Sequence, residues 1–326
     1  MLSRKRSFTI IGSMLIVFLF VFLSGCSQKQ VGQPKLRLGF FPNVTHAPAL
    51  VGIDQGFFQN ELGELRLETR VFSAGPELME AMAAGEIDVA YIGPGPALTG
   101  FARGVPLQII SGASNAGAVL VADPKCDINS LQDLAGKKIA IPQYGNTQDI
   151  CLRHLLVENG LKDKAKGGNV EIFQAAPADV LSLFSQNQVD AALVPEPWGA
   201  ILEQKGGAKL VLDWNHIWKQ GNYPTAVVIA KKDYVEKNPS IIKAFLTAHQ
   251  KAVEFINQHP DERGKIVNNQ LKIITNKEVP AEVLETAFRR TQATIDIDWQ
   301  VLQEYADILV EAGYLKEKVD ISRMRM

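Results

Sequence analysis

The chain has 326 residues, of which 46% are apolar and 21% charged, with a formal net charge of -1. Beyond an apolar leader, that composition describes a folded body rather than a disordered chain, long enough for two domains of ordinary size. The near-neutral balance argues against a nucleic-acid partner, which calls for basic residues gathered on one face, and implies no strongly charged partner of another kind.

The amino terminus opens on Arg4, Lys5 and Arg6, runs apolar from Phe8 to Leu23, and reaches small residues before Cys26. This is the order of a secretory signal. The apolar run is shorter than the ~20 residues that span a bilayer comfortably, so length alone leaves an uncleaved anchor open. Leu23-Ser24-Gly25-Cys26 resembles the lipobox of bacterial lipoproteins. That resemblance implies a signal peptide at 1–25 and a lipid on the Cys26 thiol, placing the body on the outer face of a cell membrane. Residues 26–34, with Gln28, Lys29, Gln30, Gly32 and Gln33, read as a polar tether with nothing to bury.

From Leu36 onward short apolar strands alternate with helical stretches, the pattern of an α/β fold with largely parallel sheets. Leu36, Leu38 and Phe40 predict the first strand, and Pro48–Phe58 the helix after it. Pro76–Ala84 reads as a helix capped by Gly85, followed by a buried strand over Ile87–Ile92. The same unit returns as a helix over Ala178–Gln186 and a strand over Val189–Val194. Two lobes of like construction follow from that repeat. The first takes residues 35–121 and 225–326, the second residues 122–224, opening at the Asp123-Pro124 break. Within the second, Lys138–Ile141 predicts a strand and Thr147–Asn159 a helix closed by Gly160. Ala226–Ala230 predicts a strand of the first lobe again, and everything after Pro239 reads as packing helices, with His249 and His259 at the surface or core edge.

Open α/β sheets bind ligands beyond the carboxyl ends of their strands, so the loops at those ends are the candidate site. They are Pro42–His46, Ser73–Pro76, Gly93–Ala97, Ser111–Gly117, Gln143–Thr147, Pro195–Trp198 and Asn222–Thr225. Gly93, Pro94 and Gly95 lead into a helix expected at Ala97–Ala102, and Asn146 and Thr147 open a second helix. Free N–H groups at such termini suit an oxyanion. Trp198 is the candidate aromatic cover, Glu196 a candidate acceptor for an amine, and Asn43, His46, Asn115 and Thr225 further candidate contacts. Each is also explained by a structural role: a capped helix start, a core aromatic, a satisfied histidine. No cofactor fingerprint and no metal-ligand spacing is present, and Cys126 and Cys151 stand open as a disulfide or as two thiols.

Phe41-Pro42-Asn43-Val44-Thr45-His46-Ala47-Pro48, Asp88–Ala97, Asp133–Ala140, Gly145-Asn146-Thr147 and Asp190–Trp198 together resemble the nitrate, sulfonate and taurine branch of ABC-transporter binding proteins, the NMT1/THI5-like family. The resemblance implies a periplasmic-binding-protein type II fold, two α/β lobes joined by a two-strand hinge. It also implies a monomer that captures a small ligand and docks on an ABC permease driven by an ATPase. No arginine stands in the candidate loops to clamp an anion, so N–H groups, hydroxyls and helix dipoles would hold it. A pyrimidine-type heterocycle in the same role, an enzyme on the same fold such as a desulfinase or a menaquinone-pathway enzyme, and a sensor or adhesin lipoprotein are the competing readings. The absence of a Gly-x-Ser-x-Gly elbow, a His-Glu-x-x-His motif and a phosphate loop weighs against the enzyme.

Overall fold

Leu36, Leu38 and Phe40 are buried in β1 (Lys35–Phe40), each on the inner side of the period-two alternation that a strand imposes. The computed structural model describes residues 35–326, and the expected signal, Cys26 and tether lie outside the described residues. Among the described residues no helix is long and apolar enough to cross a membrane. After β1 come α1 (Ala47–Asp54) and α2 (Phe57–Leu62), where the sequence predicts one helix; Gly56, at a φ of 67°, takes the left-handed turn that separates them. Next in the chain are β2 (Arg66–Val71), α3 (Gly75–Ala83), β3 (Val89–Ile92), α4 (Pro94–Ala102) and β4 (Leu107–Ala116).

A second group follows: β5 (Ala118–Ala122), β6 (Lys138–Ile141), α5 (Thr147–Glu158), β7 (Glu171–Gln174), α6 (Val180–Ser185), β8 (Ala191–Pro195), α7 (Trp198–Gly206), β9 (Lys209–Leu212) and α8 (Trp214–Ile217). The chain then returns through β10 (Pro224–Lys231) to α9 (Lys232–Lys237), α10 (Pro239–Gln258), α11 (Pro260–Thr275), α12 (Ala281–Arg289), β11 (Thr291–Ala293) and α13 (Trp299–Glu311). The tail after Pro239 is therefore mainly helical, with irregular links at 276–280, 294–298 and 312–320 and the short edge strand β11.

The strands form two sheets, a six-stranded one in the order β11-β4-β10-β3-β1-β2 and a five-stranded one in the order β7-β6-β8-β5-β9. The repeat seen in the sequence is a repeat of position. In the first sheet β3 lies between parallel β1 and antiparallel β10; in the second, β8 lies between parallel β6 and antiparallel β5. Each is followed at once by a helix, α4 or α7, so the loops after β1, β3, β6 and β8 occupy matching places in the two sheets.

Ala118–Ala122 pairs with β8 and β9, so the chain leaves the first sheet at Gly117 rather than at Ala122, where the sequence reading sets the lobe boundary. The Asp123-Pro124 break ends β5 and does not begin its sheet. Gly117 is required there twice over: its φ is 75°, and a Cβ would come 2.6 Å from Thr291 Oγ1 and 2.8 Å from Thr45 Cγ2. The two crossings lie side by side, because Ala116 N donates to Tyr223 O at 3.0 Å.

Ser111–Gly117 is not a loop, since most of it belongs to β4, where Asn115 pairs with Pro224 and Gln292. Its small residues answer a packing demand, with Gly112 N donating to Ile295 O at 3.0 Å under the segment that passes over the strand. His249 differs from its expected place at the surface or core edge: it is fully buried, donates through Nε2 to Gly112 O at 2.8 Å, and accepts through Nδ1 from Tyr91 OH at 2.8 Å. A ring with both nitrogens satisfied can occupy a core position. Cys126 and Cys151 are free thiols, Cys126 beside Asp190 and Cys151 buried 3.2 Å from Tyr305 OH.

Candidate ligand-binding site

The carboxyl ends of β1, β3, β6 and β8 open on one cavity of about 740 Å³ between the two sheets. That is the crevice in which α/β sheets gather loops and helix termini. Of the residues singled out in the sequence, Asn43, His46, Gly93, Asn146, Thr147, Trp198 and Thr225 line it.

Asn43 begins the turn after β1. Its Oδ1 accepts from Thr45 Oγ1 at 2.9 Å and from His46 N at 3.2 Å, which leaves the side-chain NH₂ as the group it can offer. His46 Nδ1 accepts from Phe41 N at 3.2 Å, so the neutral ring carries its proton on Nε2. Burial drives the His46 pKa down to about 3. The ring is a neutral donor, not a cation.

Across the cavity, Asn146 caps α5 by accepting from Asp149 N at 2.9 Å. Among the described residues the amides of Thr147 and Gln148 have no acceptor, as expected in the first turn of a helix. The turn is held from behind. Asp149 accepts from Gly145 N at 2.8 Å and Arg153 Nε at 2.9 Å and is bonded by Tyr314 OH, while Tyr305 OH donates to Thr147 O at 3.0 Å. Burial raises the Asp149 pKa, with Arg153 and the Gly145 amide opposing it.

The other helix start differs from its sequence reading. α4 begins at Pro94, not Ala97, and Pro94 and Pro96 remove two donors from its first turn. What the Gly93 turn supplies is closeness: a Cβ there would overlap Thr147 Oγ1 and come 3.1 Å from Thr147 Cβ.

Pro94, Gly95, Asn115 and Glu196 stand outside the cavity lining. Gly95 packs against Ile150 of α5, and its carbonyl accepts from Thr99 Oγ1 at 2.9 Å. Glu196 is fully buried, with Oε1 accepting from Arg290 at 2.9 Å and Oε2 from Ala200 N at 3.1 Å. It is therefore spent on structure and does not face an amine ligand. Burial pushes its carboxyl above the usual range, with the Ala200 amide and Arg290 pulling the other way. Thr225 lines the cavity, though its hydroxyl donates to Ser114 O at 3.3 Å.

Of the walls, the sequence reading finds Trp198 and misses the rest. Trp198, Ile201, Leu202 and Lys205 line the cavity at the i, i+3, i+4, i+7 spacing of one helix face, a signal available in the sequence of α7. Phe72, Gln148 and the segment Leu271–Pro280 at the end of α11 carry no such signal, because only the tertiary fold brings them there. Among the described residues no group of three His, Cys, Asp or Glu side chains stands together as a metal site.

A model of the NMT1-like family matches residues 29–269. A putative binding protein of Brucella abortus is 28% identical over 87% of this chain and 93% of its own length. The taurine-binding periplasmic protein of Escherichia coli is 28% identical over 72% of this chain and 70% of its own length. Among solved structures, the alkanesulfonate-binding protein SsuA of Xanthomonas axonopodis pv. citri, bound to MOPS, superposes with a TM-score of 0.77 at 21% identity, covering 90% of this chain and 99% of the other. The fold is that of the periplasmic binding proteins.

Proposed function

The chain belongs to the NMT1-like family, and from that premise we propose that it is the extracytoplasmic solute-binding component of an ABC importer, taking a small oxyanion of the sulfonate, taurine or nitrate type. The observation that carries the reading is the convergence of neutral donors on one cavity: the Asn43 amide, His46 Nε2, and the first-turn amides of Thr147 and Gln148. Such donors, fixed before the ligand arrives, stabilise an anion through oriented dipoles without a cationic clamp. Capture rather than catalysis fits this site, since His46 stays neutral and Asp149 and Glu196 are both committed to structural partners.

On this reading the bodies built on the two sheets close about the paired crossings at Gly117 and Tyr223, and ligand is held by groups from both. Asn43, His46 and Gly93 come from the first body, Asn146, Thr147 and Trp198 from the second. The closed form docks as a monomer on a permease coupled to an ATPase. A lipid on Cys26 anchors it to the outer face of the cell membrane and keeps it near that permease, raising its effective concentration there.

Native mass spectrometry of the gently purified protein, followed by calorimetry against nitrate, alkanesulfonates, taurine and pyrimidines, tests the assignment. Saturable binding of an oxyanion supports it. Binding of a pyrimidine with none of the oxyanions overturns it.

A further inference from the structure

We infer that the ligand carries an apolar body and no ammonium group, so that this site discriminates against taurine in favour of uncharged-tail anions of similar or larger size. The inference rests on the oxyanion reading above and adds what the rest of the ligand must be.

The first observation is the fate of the carboxylates. An ammonium group leaving water is best held by a counter-charge, and no carboxylate lines the buried part of the cavity. Glu196, the acid nearest in sequence to the Trp198 wall, has both oxygens occupied by Arg290 and Ala200 N and does not line the cavity. Asp149, next to the anion-binding turn, is fully buried and occupied by Gly145 N, Arg153 and Tyr314. Arg290 and Arg153 thus act as positioning residues that withdraw the two acids from ligand. Among the lining residues the one carboxylate is Glu278, exposed at the rim and paired with Lys272 at 3.1 Å.

The second observation is independent and concerns the rim. Lys205 and Lys277 are exposed there and have no ion-pair partner among the described residues. Two such charges favour an approaching anion and oppose an ammonium.

The third is size and surface. A volume of about 740 Å³ far exceeds what nitrate fills and lies in the range of about 300–1,000 Å³ typical of pockets for drug-sized ligands. The walls leading from the donors are Phe41, Phe72, Pro142, Leu181, Trp198 and Ile201, which can bury hydrocarbon and carry no carboxylate.

Calorimetry of the unmodified protein with propane-1-sulfonate and taurine isolates the ammonium, since the two differ by a terminal methyl against a terminal NH₃⁺. Propane-1-sulfonate is expected to bind at least about tenfold more tightly. A series from methanesulfonate to hexanesulfonate is expected to gain about fourfold in affinity per methylene. Taurine binding as tightly as propane-1-sulfonate, or affinity that is flat or falling along the series, overturns the inference while leaving the oxyanion reading intact. If nitrate binds and no sulfonate does, this inference falls while the oxyanion reading stands; if neither nitrate nor any sulfonate binds, both fall.

Discussion

Gly93, at the end of β3, and Thr147, at the start of α5, touch so closely that no side chain fits between them: a Cβ on Gly93 would overlap Thr147 Oγ1. One follows a strand of the first sheet and the other a strand of the second, so their contact joins the two sides of the cavity. Gly93 has a φ of -67°, which any residue accepts, and the demand for glycine is therefore steric and not conformational. Gly93→Ala is expected to weaken sulfonate binding by at least about tenfold, through a forced separation of the two turns. Calorimetry beside a thermal melt checks this, with the loss of affinity expected to exceed what the change in melting temperature explains.

A neutral His46 has a consequence for binding. With its pKa held near 3 by burial, the ring does not gain charge in the ordinary range, and sulfonate affinity is expected to stay level between about pH 8 and pH 5. Titrations at several pH values check this. A cationic histidine in that place would make affinity rise as pH falls through the usual histidine range.

The same burial makes stability depend on pH. His46 and His249 are held to about 3 and about 4, whereas unfolding returns both to their ordinary 6.5. Below 6.5 the unfolded chain takes up protons that the folded chain refuses, so stability present above 6.5 is lost as pH falls toward 4. Each ring contributes a slope of up to about 1.4 kcal/mol per pH unit. His249→Gln, away from the cavity, is expected to flatten its share of that slope in urea unfolding curves measured across the range.

Arg290 meets Glu196, Glu203 and Asp213, joining the end of α12 to α7 and the start of α8. Removing the guanidinium would strand Glu196, whose side chain is fully buried. Arg290→Met is expected to cost about 3–5 kcal/mol, whereas Glu203→Gln, on a partly exposed partner, costs much less. Chemical denaturation of the two variants distinguishes a buried pair that matters from a peripheral one.

Cys151 is buried beside Tyr305 with its thiol pushed up to about 12, and Cys126 is bonded to Asp190. Alkylation under denaturing, non-reducing conditions is expected to recover both as separate modified peptides. A linked pair would contradict the arrangement.

Much of the fold was legible because it is local. The alternation of Leu36, Leu38 and Phe40 and the twin strands expected to end at Ile92 and Val194 follow from period and punctuation, the second running one residue further, to Pro195. The twin strands also locate the site, since their loops occupy matching positions in the two sheets. The errors have a common origin in contacts remote along the chain. Ser111–Gly117 looks like a loop because its residues are small, yet they are small to admit the backbone at Ile295. Glu196 looks free for ligand because Arg290, which claims it, lies far away in sequence. His249 is polar within a packing helix, and only the fold reveals Tyr91 and Gly112 on either side of it.

The most direct measurement is a crystal structure of the protein grown with an alkanesulfonate. The sulfonate oxygens should lie about 3 Å from the amides of Thr147 and Gln148 and from His46 Nε2, with the alkyl chain running along Trp198 and Ile201. A sulfonate bound anywhere else, or one whose head group sits on Lys205 or Lys277 at the rim, would contradict the account.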